Sequence, residues 1–400
     1  MRPFGGRRIV LGITGGIASY KSGWLARLLT QAGAGVDVVM TRGATEFVSP
    51  ITFEALTGSP VQSDIFAPGR ALEHIRLARE ADAVVVAPCS ADFLARAAQG
   101  RADDLLAAVL LATEAPVLLV PAMNDRMWLH PATVRNSQTA RDLGYRVLEP
   151  DTGKLAAGEG HGPGRMPEPE TIFGHVARLL EKPSLAGRTI LVTAGPTREA
   201  VDAVRFISNR SSGRMGVAIA AAAWRRGADV TLVAGPLEVP LPAGLKVIRV
   251  ESTEEMANAV AGELPRANAL VMAAAPADFR AAAPVGFKIK KSTAPGAIAL
   301  AATIDILATT RAKRRQGAII VGFALETDHV TENAMAKLEA KGLDLIVVND
   351  ANEPGAGFGV ETNRVTLIAK NGAMEPLPLM PKTELADLLL DRVEALLGAR

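Results

Sequence analysis

Two segments of this chain share one local pattern: RIVLGITGGIASYK from Arg8 to Lys21 and RTILVTAGPTRE from Arg188 to Glu199. Each is a short apolar run ending in a glycine-containing turn. A strand that feeds such a turn ahead of a helix can present backbone N–H groups and a helix N-terminus to a phosphate. Two starts of this kind predict two α/β units with two separate chemistries. The length, 400 residues, is enough for two or three domains that each bury a core.

Apolar runs between the two starts extend the pattern. In the first half, strands are expected at Arg8 to Ile13, Gly35 to Met40, Ala83 to Ala87, Val117 to Pro121 and Tyr145 to Leu148, with helical periodicity between them. That alternation implies a doubly wound sheet with right-handed crossovers. The Gly-Pro-rich stretch Asp151 to Glu170 reads as a linker or lid with no regular element. A short helix, Thr171 to Leu180, follows it, and the boundary falls near Ser184. The second half repeats the alternation at Thr189 to Thr193, Asp229 to Ala234, Lys246 to Val250, Ala269 to Ala273, Ala318 to Phe323 and Leu345 to Val348. Val365 to Ala369 is expected at a sheet edge, and Lys382 to Leu397 as a closing amphipathic helix. The fold class is therefore α/β, with two Rossmann-like doubly wound domains at 1–183 and 184–400.

Composition narrows the function classes. One cysteine, Cys89, excludes an internal disulfide, and a net charge of +2 carries no general nucleic-acid or membrane signal. The N-terminal apolar run is broken by Gly12, Gly15 and Gly16, which makes a poor secretory signal. The run LLAAVLLATEAPVLLVPAM from Leu105 to Met123 carries Glu114 and Pro116 in its middle, so it reads as helix, turn and buried strand, not as a membrane span. The expectation is a cytoplasmic enzyme that binds neither nucleic acid nor membrane. The five histidines are scattered, and no metal-ligand cluster is visible.

Several strand ends carry chemistry-bearing residues. Thr14, Gly15 and Gly16 could hold a phosphate or merely form a tight turn, and Ser90 could bind a ligand or cap the next helix. His74 opens a helical segment, where it could act as a base near neutral pH or serve structure alone. Asn124, in the PAMN turn, has an amide suited to a carboxylate and is equally a common turn residue. In the second half, ISNRSSGRMG, from Ile207 to Gly216, places arginines, serines and glycine at a helix start, which suits phosphate or a solvated basic loop. Lys288, in the FKIKK run, is either a solvated cation or one that stabilises charge on phosphoryl oxygens.

Taken in order, GGIASYK, the His74 segment, PAMN, GPGRM, TAGPTRE, ISNRSSGRMG, KIKK and GFALET resemble the bifunctional phosphopantothenoylcysteine decarboxylase/phosphopantothenate-cysteine ligase family over nearly the whole chain. The resemblance implies an N-terminal flavoprotein domain and a C-terminal nucleotide-binding ligase domain. In the ligase half, CTP would activate the carboxylate of 4'-phosphopantothenate as an acyl-cytidylate, and L-cysteine would attack it. Asn209 matches the residue that meets the acyl-cytidylate, and Lys288 the one that contacts CTP. Met272, Ala273, Ala274 and Asp278 would line the nucleotide site together with Thr303, Ile304, Asp305, Ile306, Phe323, Lys337 and Lys341, with Ile304 standing where a proline is usual. Mg²⁺ is expected with CTP. In the flavoprotein half, FMN would be held by Thr14, Gly15, Gly16, Thr41, Ser90 and Met123; His74 matches the catalytic base, and Asn124 the binder of the substrate carboxylate. A homo-oligomer is implied, with trimeric flavoprotein halves and dimeric ligase halves.

One departure from the family pattern bears on the last step. Where the family has a proton-donor cysteine ahead of its G-x-G-R-M run, this chain has Ala157, which has no transferable proton. Three readings stay open: His161 or Cys89 supplies the proton, the half releases an enethiol, or the half is inactive. The favoured expectation is impaired or rerouted reduction, with carbon dioxide formed but little 4'-phosphopantetheine. Rival readings of the whole are an active ligase with a degenerate flavoprotein half, and a flavin-binding regulatory subunit without turnover.

Overall fold

The computed structural model describes residues 3–66, 70–156, 158, 160–291, 296–326, 329–350, 357 and 359–399. The chain divides into two compact units, Met1–Glu181 and Lys182–Arg400.

In the first unit, strands β1 (Arg8–Ile13), β2 (Gly35–Met40), β3 (Ala83–Cys89), β4 (Val117–Pro121) and β5 (Arg146–Val147) form one sheet in the order β2-β1-β3-β4-β5. All pairs are parallel. Every residue of β3 and β4 is buried, as expected where helices cover both faces of a parallel sheet. One face packs Leu25, Leu29, Phe53 and Ile172 against the sheet, and the other packs Phe93, Leu94, Leu106 and Val109. The long apolar run resolves as the helix Leu105–Ala112, capped by the Asp104 carboxylate, and then β4. Among the described residues no helix is long and apolar enough to cross a membrane.

The stretch from Asp151 to Glu170 differs from the expectation. It holds an antiparallel hairpin, β6 (Asp151–Lys154) and β7 (His161–Arg165), and Pro169 already opens the helix Pro169–Leu180. Glycine explains why this composition still pairs. Gly164 has a φ of +135°, and a Cβ there would collide with the Met123 carbonyl, so the strand lies directly on the chain leaving β4. Fold position, not hydrophobic alternation, holds this hairpin. The strand expected at Tyr145 to Leu148 shortens to the two residues of β5.

In the second unit, β8 (Thr189–Ala194), β9 (Arg198–Ala200), β10 (Phe206–Ser208), β11 (Asp229–Ala234), β12 (Lys246–Arg249), β13 (Ala269–Met272) and β14 (Phe279–Ala281) come first. They are followed by β15 (Leu300–Ala302), β16 (Ile319–Glu326), β17 (Leu345–Asp350), β18 (Thr362–Asn363), β19 (Thr366–Ala369), β20 (Met374–Pro376) and β21 (Met380–Pro381). The main sheet has eight strands in the order β12-β11-β8-β13-β16-β17-β19-β20, parallel up to β17 and antiparallel beyond it. The segment expected at the edge, β19, is therefore covered by β20. β9 pairs with β10, β14 with β15 and β18 with β21 as two-stranded ribbons.

The helix Arg214–Arg225 lies close on β8 because Gly216 faces the strand: a Cβ there would come within 2.5 Å of Ala194 Cβ and 2.6 Å of the Thr193 carbonyl. Along this helix and the closing helix Lys382–Gly398, Ile219, Ala223, Leu389 and Val393 join one core cluster. In both sheets the strand order reverses beside the first strand of the unit, between β1 and β3 and between β8 and β13. Open α/β sheets bind ligands at such points, beyond the strand carboxyl ends.

Candidate functional site

In the first unit, the turns that follow β1 and β3 are tied together by one buried hydroxyl. Thr14 Oγ1 donates to the Pro88 carbonyl at 2.9 Å and accepts from the Ser90 N–H at 2.8 Å. Gly15 lets the turn touch the segment after β2, since a Cβ there would lie 3.0 Å from the Gly43 backbone, whereas the space beside Gly16 is open. The helix Ser19–Gln31 starts here with no side-chain cap. The helix start and the open space at Gly16 suit a phosphate, although the Ser19 and Lys21 N–H groups already donate to the Gly16 and Ala18 carbonyls at 3.0 Å. Thr41, at the end of β2, donates its N–H to the Ile13 carbonyl at 3.0 Å and is nearly enclosed. Ser90 caps the helix Ala91–Gln99 by accepting from the Phe93 N–H, a bond that does not use its hydroxyl proton.

The end of β4 meets the hairpin. The Met123 N–H donates to the Gly164 carbonyl at 3.0 Å, and Asn124 Oδ1 accepts from the Arg126 N–H at 2.9 Å, leaving Nδ2 as the donor end of its amide. Lys21 joins the GGIASYK and GPGRM segments: its Nζ donates to the Met166 carbonyl at 3.0 Å and to Glu168 Oε1 at 3.1 Å. His74 is the second residue of the helix Glu73–Glu80, which runs into β3, so the helix start lies toward the strand carboxyl ends. Its Nδ1 is enclosed and, among the described residues, has no hydrogen-bond partner. An enclosed nitrogen left unpaired costs about 1–3 kcal/mol, and a ligand or substrate proton would give it a partner.

Cys89 does not fit the part of proton donor. Its side chain is fully enclosed, and burial pushes the thiol well above the ordinary cysteine range. His161 is exposed at the start of β7, opposite Lys154. Ala157 lies outside the described residues. A separate cavity of about 360 Å³, lined by Leu118, Tyr145, Arg146 and His175 among others, contains none of the expected flavin residues. Burial, with Arg178 and Arg146 nearby, pushes the His175 imidazole down to about 4, so it is neutral at physiological pH.

The second unit holds a cavity of about 440 Å³ at the strand carboxyl ends, a volume that suits a nucleotide-sized ligand. Met272, Ala273, Ala274 and Asp278 form one wall. Thr303, Asp305, Ile306 and Phe323 form another, Lys337 and Lys341 enter from the helix Val330–Lys341, and Asn209 stands at the mouth of the loop before Arg214.

The first wall is braced from several sides. Thr193 Oγ1 accepts from the Ala274 N–H at 3.1 Å, Asn209 Nδ2 donates to the Ala275 and Pro276 carbonyls at 3.2 and 2.9 Å, and Thr303 Oγ1 donates to the Ala277 carbonyl at 2.6 Å. Asp305 caps the turn Ile306–Thr309 and pairs with Lys341 at 3.2 Å. Burial alone would raise its carboxyl, but the Ala308 N–H and Lys341 hold it below the ordinary carboxylate range.

Two expected residues stand elsewhere. Ile304 is 43% exposed and does not line the cavity, although its neighbours do. Lys288 lies on the exposed segment after β14, which the Asp202–Arg205 turn holds: the Ile289 N–H donates to Asp202 Oδ2 at 3.1 Å, and Arg205 Nη1 donates to the Ile289 carbonyl at 3.2 Å. Arg214, from the ISNRSSGRMG segment, lines the cavity, and so do Asn349, Asn363 and Lys382, which the sequence reading does not single out. Lys382 had a signal of its own, a lysine at the first position of a helix, where the dipole disfavours a cation.

Comparison with known proteins matches residues 2–181 to the Flavoprotein family and residues 185–397 to the DNA/pantothenate metabolism flavoprotein C-terminal domain. A coenzyme A biosynthesis bifunctional protein CoaBC from Mycobacterium tuberculosis is 47% identical over 408 residues, covering 98% of this chain and 97% of that protein. The chain belongs to the CoaBC family. The family's Escherichia coli member is 43% identical over 394 residues, covering 97% of each chain. A solved C-terminal domain of a CoaBC protein is 36% identical, covering 55% of this chain and all of that one, with a TM-score of 0.47. As a CoaBC family member, this chain is a bifunctional enzyme of coenzyme A biosynthesis, with a flavoprotein half and a second catalytic half.

Proposed function

We propose that the C-terminal unit joins 4'-phosphopantothenate to L-cysteine using CTP, and that the N-terminal unit decarboxylates the product. The observation that carries this reading is the gathering, in one cavity, of Asn209, the 272–278 turn, Asp305, Phe323 and two lysines from separate parts of the sequence. A carboxylate is a poor acyl donor. Its oxygen attacks the α-phosphorus of CTP and pyrophosphate leaves; the cysteine amine then attacks the acyl carbon of the mixed anhydride and CMP leaves.

Asn209, anchored on the Ala275 and Pro276 carbonyls, orients the acyl-cytidylate. The nucleotide sits against Met272, Ala273, Ala274, Asp278 and Phe323, and Lys288 reaches the triphosphate from its exposed segment. Mg²⁺, expected with CTP, would screen the charge of its phosphates.

The first unit suits a flavin phosphate at the Thr14–Gly16 turn and the uncapped start of Ser19–Gln31, with Thr41, Ser90 and Met123 around it. When bound, FMN supplies the oxidant that converts the cysteinyl thiol to a thioaldehyde, the electron sink that lets carbon dioxide leave. His74 takes up the substrate proton, and the Asn124 amide donates to the departing carboxylate. With Ala157 in place of a proton donor, the final reduction is impaired or rerouted. Exposed Phe206, Phe279 and Phe287 support dimeric ligase halves, and we expect trimeric flavoprotein halves. CTP and reduced cysteine are cytoplasmic metabolites, and we place the reaction there.

Two readouts test the halves separately. CTP-dependent pyrophosphate release that requires 4'-phosphopantothenate is expected from the purified chain, together with an FMN absorbance spectrum. Pyrophosphate release indifferent to the acid contradicts the ligase assignment, and a colourless protein that does not take up added FMN contradicts the flavin site.

A further inference from the structure

The turn after β8, which sequence pairs with the turn after β1, leads into the ribbon strand β9 before any helix begins. Its polar groups bond to the cavity wall instead. The Gly195 carbonyl accepts from the Ala275 N–H at 2.9 Å, Pro196 forms a parallel bridge with Ala275, and Thr197 Oγ1 accepts from the Ala277 N–H at 2.9 Å. Gly235 packs against the outer side of the turn, where a Cβ would collide with the Pro196 carbonyl.

Thr197 Oγ1 is also one end of a buried chain of hydrogen bonds. It lies 2.8 Å from Thr253 Oγ1, which donates to Glu199 Oε1 at 2.8 Å, and the Thr253 N–H donates to the same carboxylate oxygen at 2.8 Å. A hydroxyl has one proton, so with Thr253 donating to Glu199, Thr197 must donate to Thr253. The chain therefore has one direction: Ala277 N–H to Thr197, Thr197 to Thr253, Thr253 to Glu199. All three side chains are buried. Thr253 opens the helix Thr253–Glu263, and a helix start favours the carboxylate that ends the chain.

The same short segment fixes the opposite side of the cavity. In the β9–β10 ribbon Glu199 stands opposite Ile207, and Ser208 Oγ donates to the Thr197 carbonyl at 2.7 Å. The next residue is Asn209, whose amide reaches the Ala275 and Pro276 carbonyls. Residues 197–199 thus hold both the wall and the amide that meets it.

We propose that Thr197, Thr253 and Glu199 are positioning residues of the ligase reaction, which hold Asn209 and the 274–277 wall in the register that acyl-cytidylate formation requires. This rests on the ligase reading above and adds three residues that the family resemblance does not assign. They stand outside the lining of the cavity and act through Ala277 and Asn209. Asn209 and the wall meet different parts of the acyl-cytidylate, so a shift of one against the other weakens binding of the reacting pair more than it disturbs the fold.

The test measures 4'-phosphopantothenate-dependent pyrophosphate release by the full chain, as kcat and KM for CTP, beside the melting temperature. Thr197→Val keeps the shape and removes the hydroxyl, whereas Thr197→Ser keeps the hydroxyl; Glu199→Ala and Glu199→Gln make the same comparison at the other end. Thr197→Val and Glu199→Ala are each expected to lower kcat/KM for CTP by about 10- to 100-fold, the scale of an ångström-sized misplacement. Thr197→Ser and Glu199→Gln, which retain an accepting oxygen, recover most of that loss. Because both substitutions break one chain, the double variant Thr197→Val/Glu199→Ala loses little more than the worse single variant.

Three outcomes overturn the proposal: Thr197→Val within about twofold of the parent in kcat/KM, losses that multiply in the double variant, or losses that vanish in assays run well below each variant's melting temperature. The last result means that the chain serves stability alone. Failure of the unsubstituted chain to release pyrophosphate overturns the ligase reading instead.

Discussion

Replacing His74 by asparagine is expected to lower carbon dioxide release by about 10²–10⁴-fold, the usual contribution of a positioned acid or base, while CTP-dependent cysteine ligation continues at the parental rate. The expectation follows from an unsatisfied nitrogen. Among the described residues His74 Nδ1 is enclosed and unpaired, although its neighbours on the same helix are paired: Glu73 Oε1 lies 2.6 Å from Arg76 Nη2, and Arg76 Nη1 lies 2.8 Å from Glu80 Oε2. That pairing fixes the helix start, and the Arg76 hydrogen bond holds the Glu73 carboxyl below its ordinary range. Asparagine keeps polarity at the site but cannot take up a proton near neutral pH. Measuring carbon dioxide from purified phosphopantothenoylcysteine separates this step from ligation. Equal loss of both activities, together with a lowered melting temperature, means that His74 serves the fold.

The second large effect is structural and reaches the other site. Asp387→Ala is expected to destabilise the C-terminal unit by about 3–5 kcal/mol and to abolish ligation at the temperature where the parent works best. Asp387 is buried on the closing helix, with Oδ1 2.5 Å from Arg225 Nη2 and 3.4 Å from Arg226 Nη2, and both arginine side chains are nearly enclosed. Arg226 keeps Asp391 and Glu394, each at 2.8 Å. Removing a carboxylate that two nearly enclosed guanidinium groups share destabilises far more than removing one at the surface.

These pairs clamp together the two helices that begin at the cavity, Arg214–Arg225 and Lys382–Gly398, so loosening them displaces Arg214 and Lys382 at the site. Arg392→Gln is the control. It breaks a pair with Glu375 whose partners are both about two-fifths exposed, and such pairs contribute about 0–1 kcal/mol. Urea midpoints of the two variants should differ widely. A shift for Asp387→Ala no larger than that for Arg392→Gln contradicts the clamp.

The two sheets were readable from sequence because their strands are buried on both faces, so β3 and β4 appear as nearly unbroken apolar runs between helical segments. The β6–β7 hairpin was not readable. Its strands, DTGK and HGPGR, carry no apolar alternation, and what fixes them is close backbone approach at Gly162 and Gly164 against the chain after β4. The antiparallel extension through β20 escaped notice for a related reason: three residues, Met374–Pro376, are too few to show a period.

At the candidate sites, local motifs pointed to strand ends but not to what long-range packing adds there. Lys382 reaches the cavity only because the closing helix packs on Arg214–Arg225, a pairing of segments more than 150 residues apart. Lys288, chosen from its basic run, is held instead on the Asp202–Arg205 turn. Cys89 is one of the proton-donor candidates the sequence offers, yet β3 places it wholly inside the core.

The most direct test of the two-step account is one incubation of the purified protein with 4'-phosphopantothenate, L-cysteine and CTP, followed by mass spectrometry of the products over time. The account predicts that phosphopantothenoylcysteine appears first, only with CTP, and is then converted mainly to the decarboxylated enethiol, with little 4'-phosphopantetheine until Ala157→Cys is introduced. Absence of any cysteine adduct in the presence of CTP, or full conversion to 4'-phosphopantetheine by the unsubstituted chain, contradicts it: the first outcome removes the ligase step, and the second removes the block at Ala157.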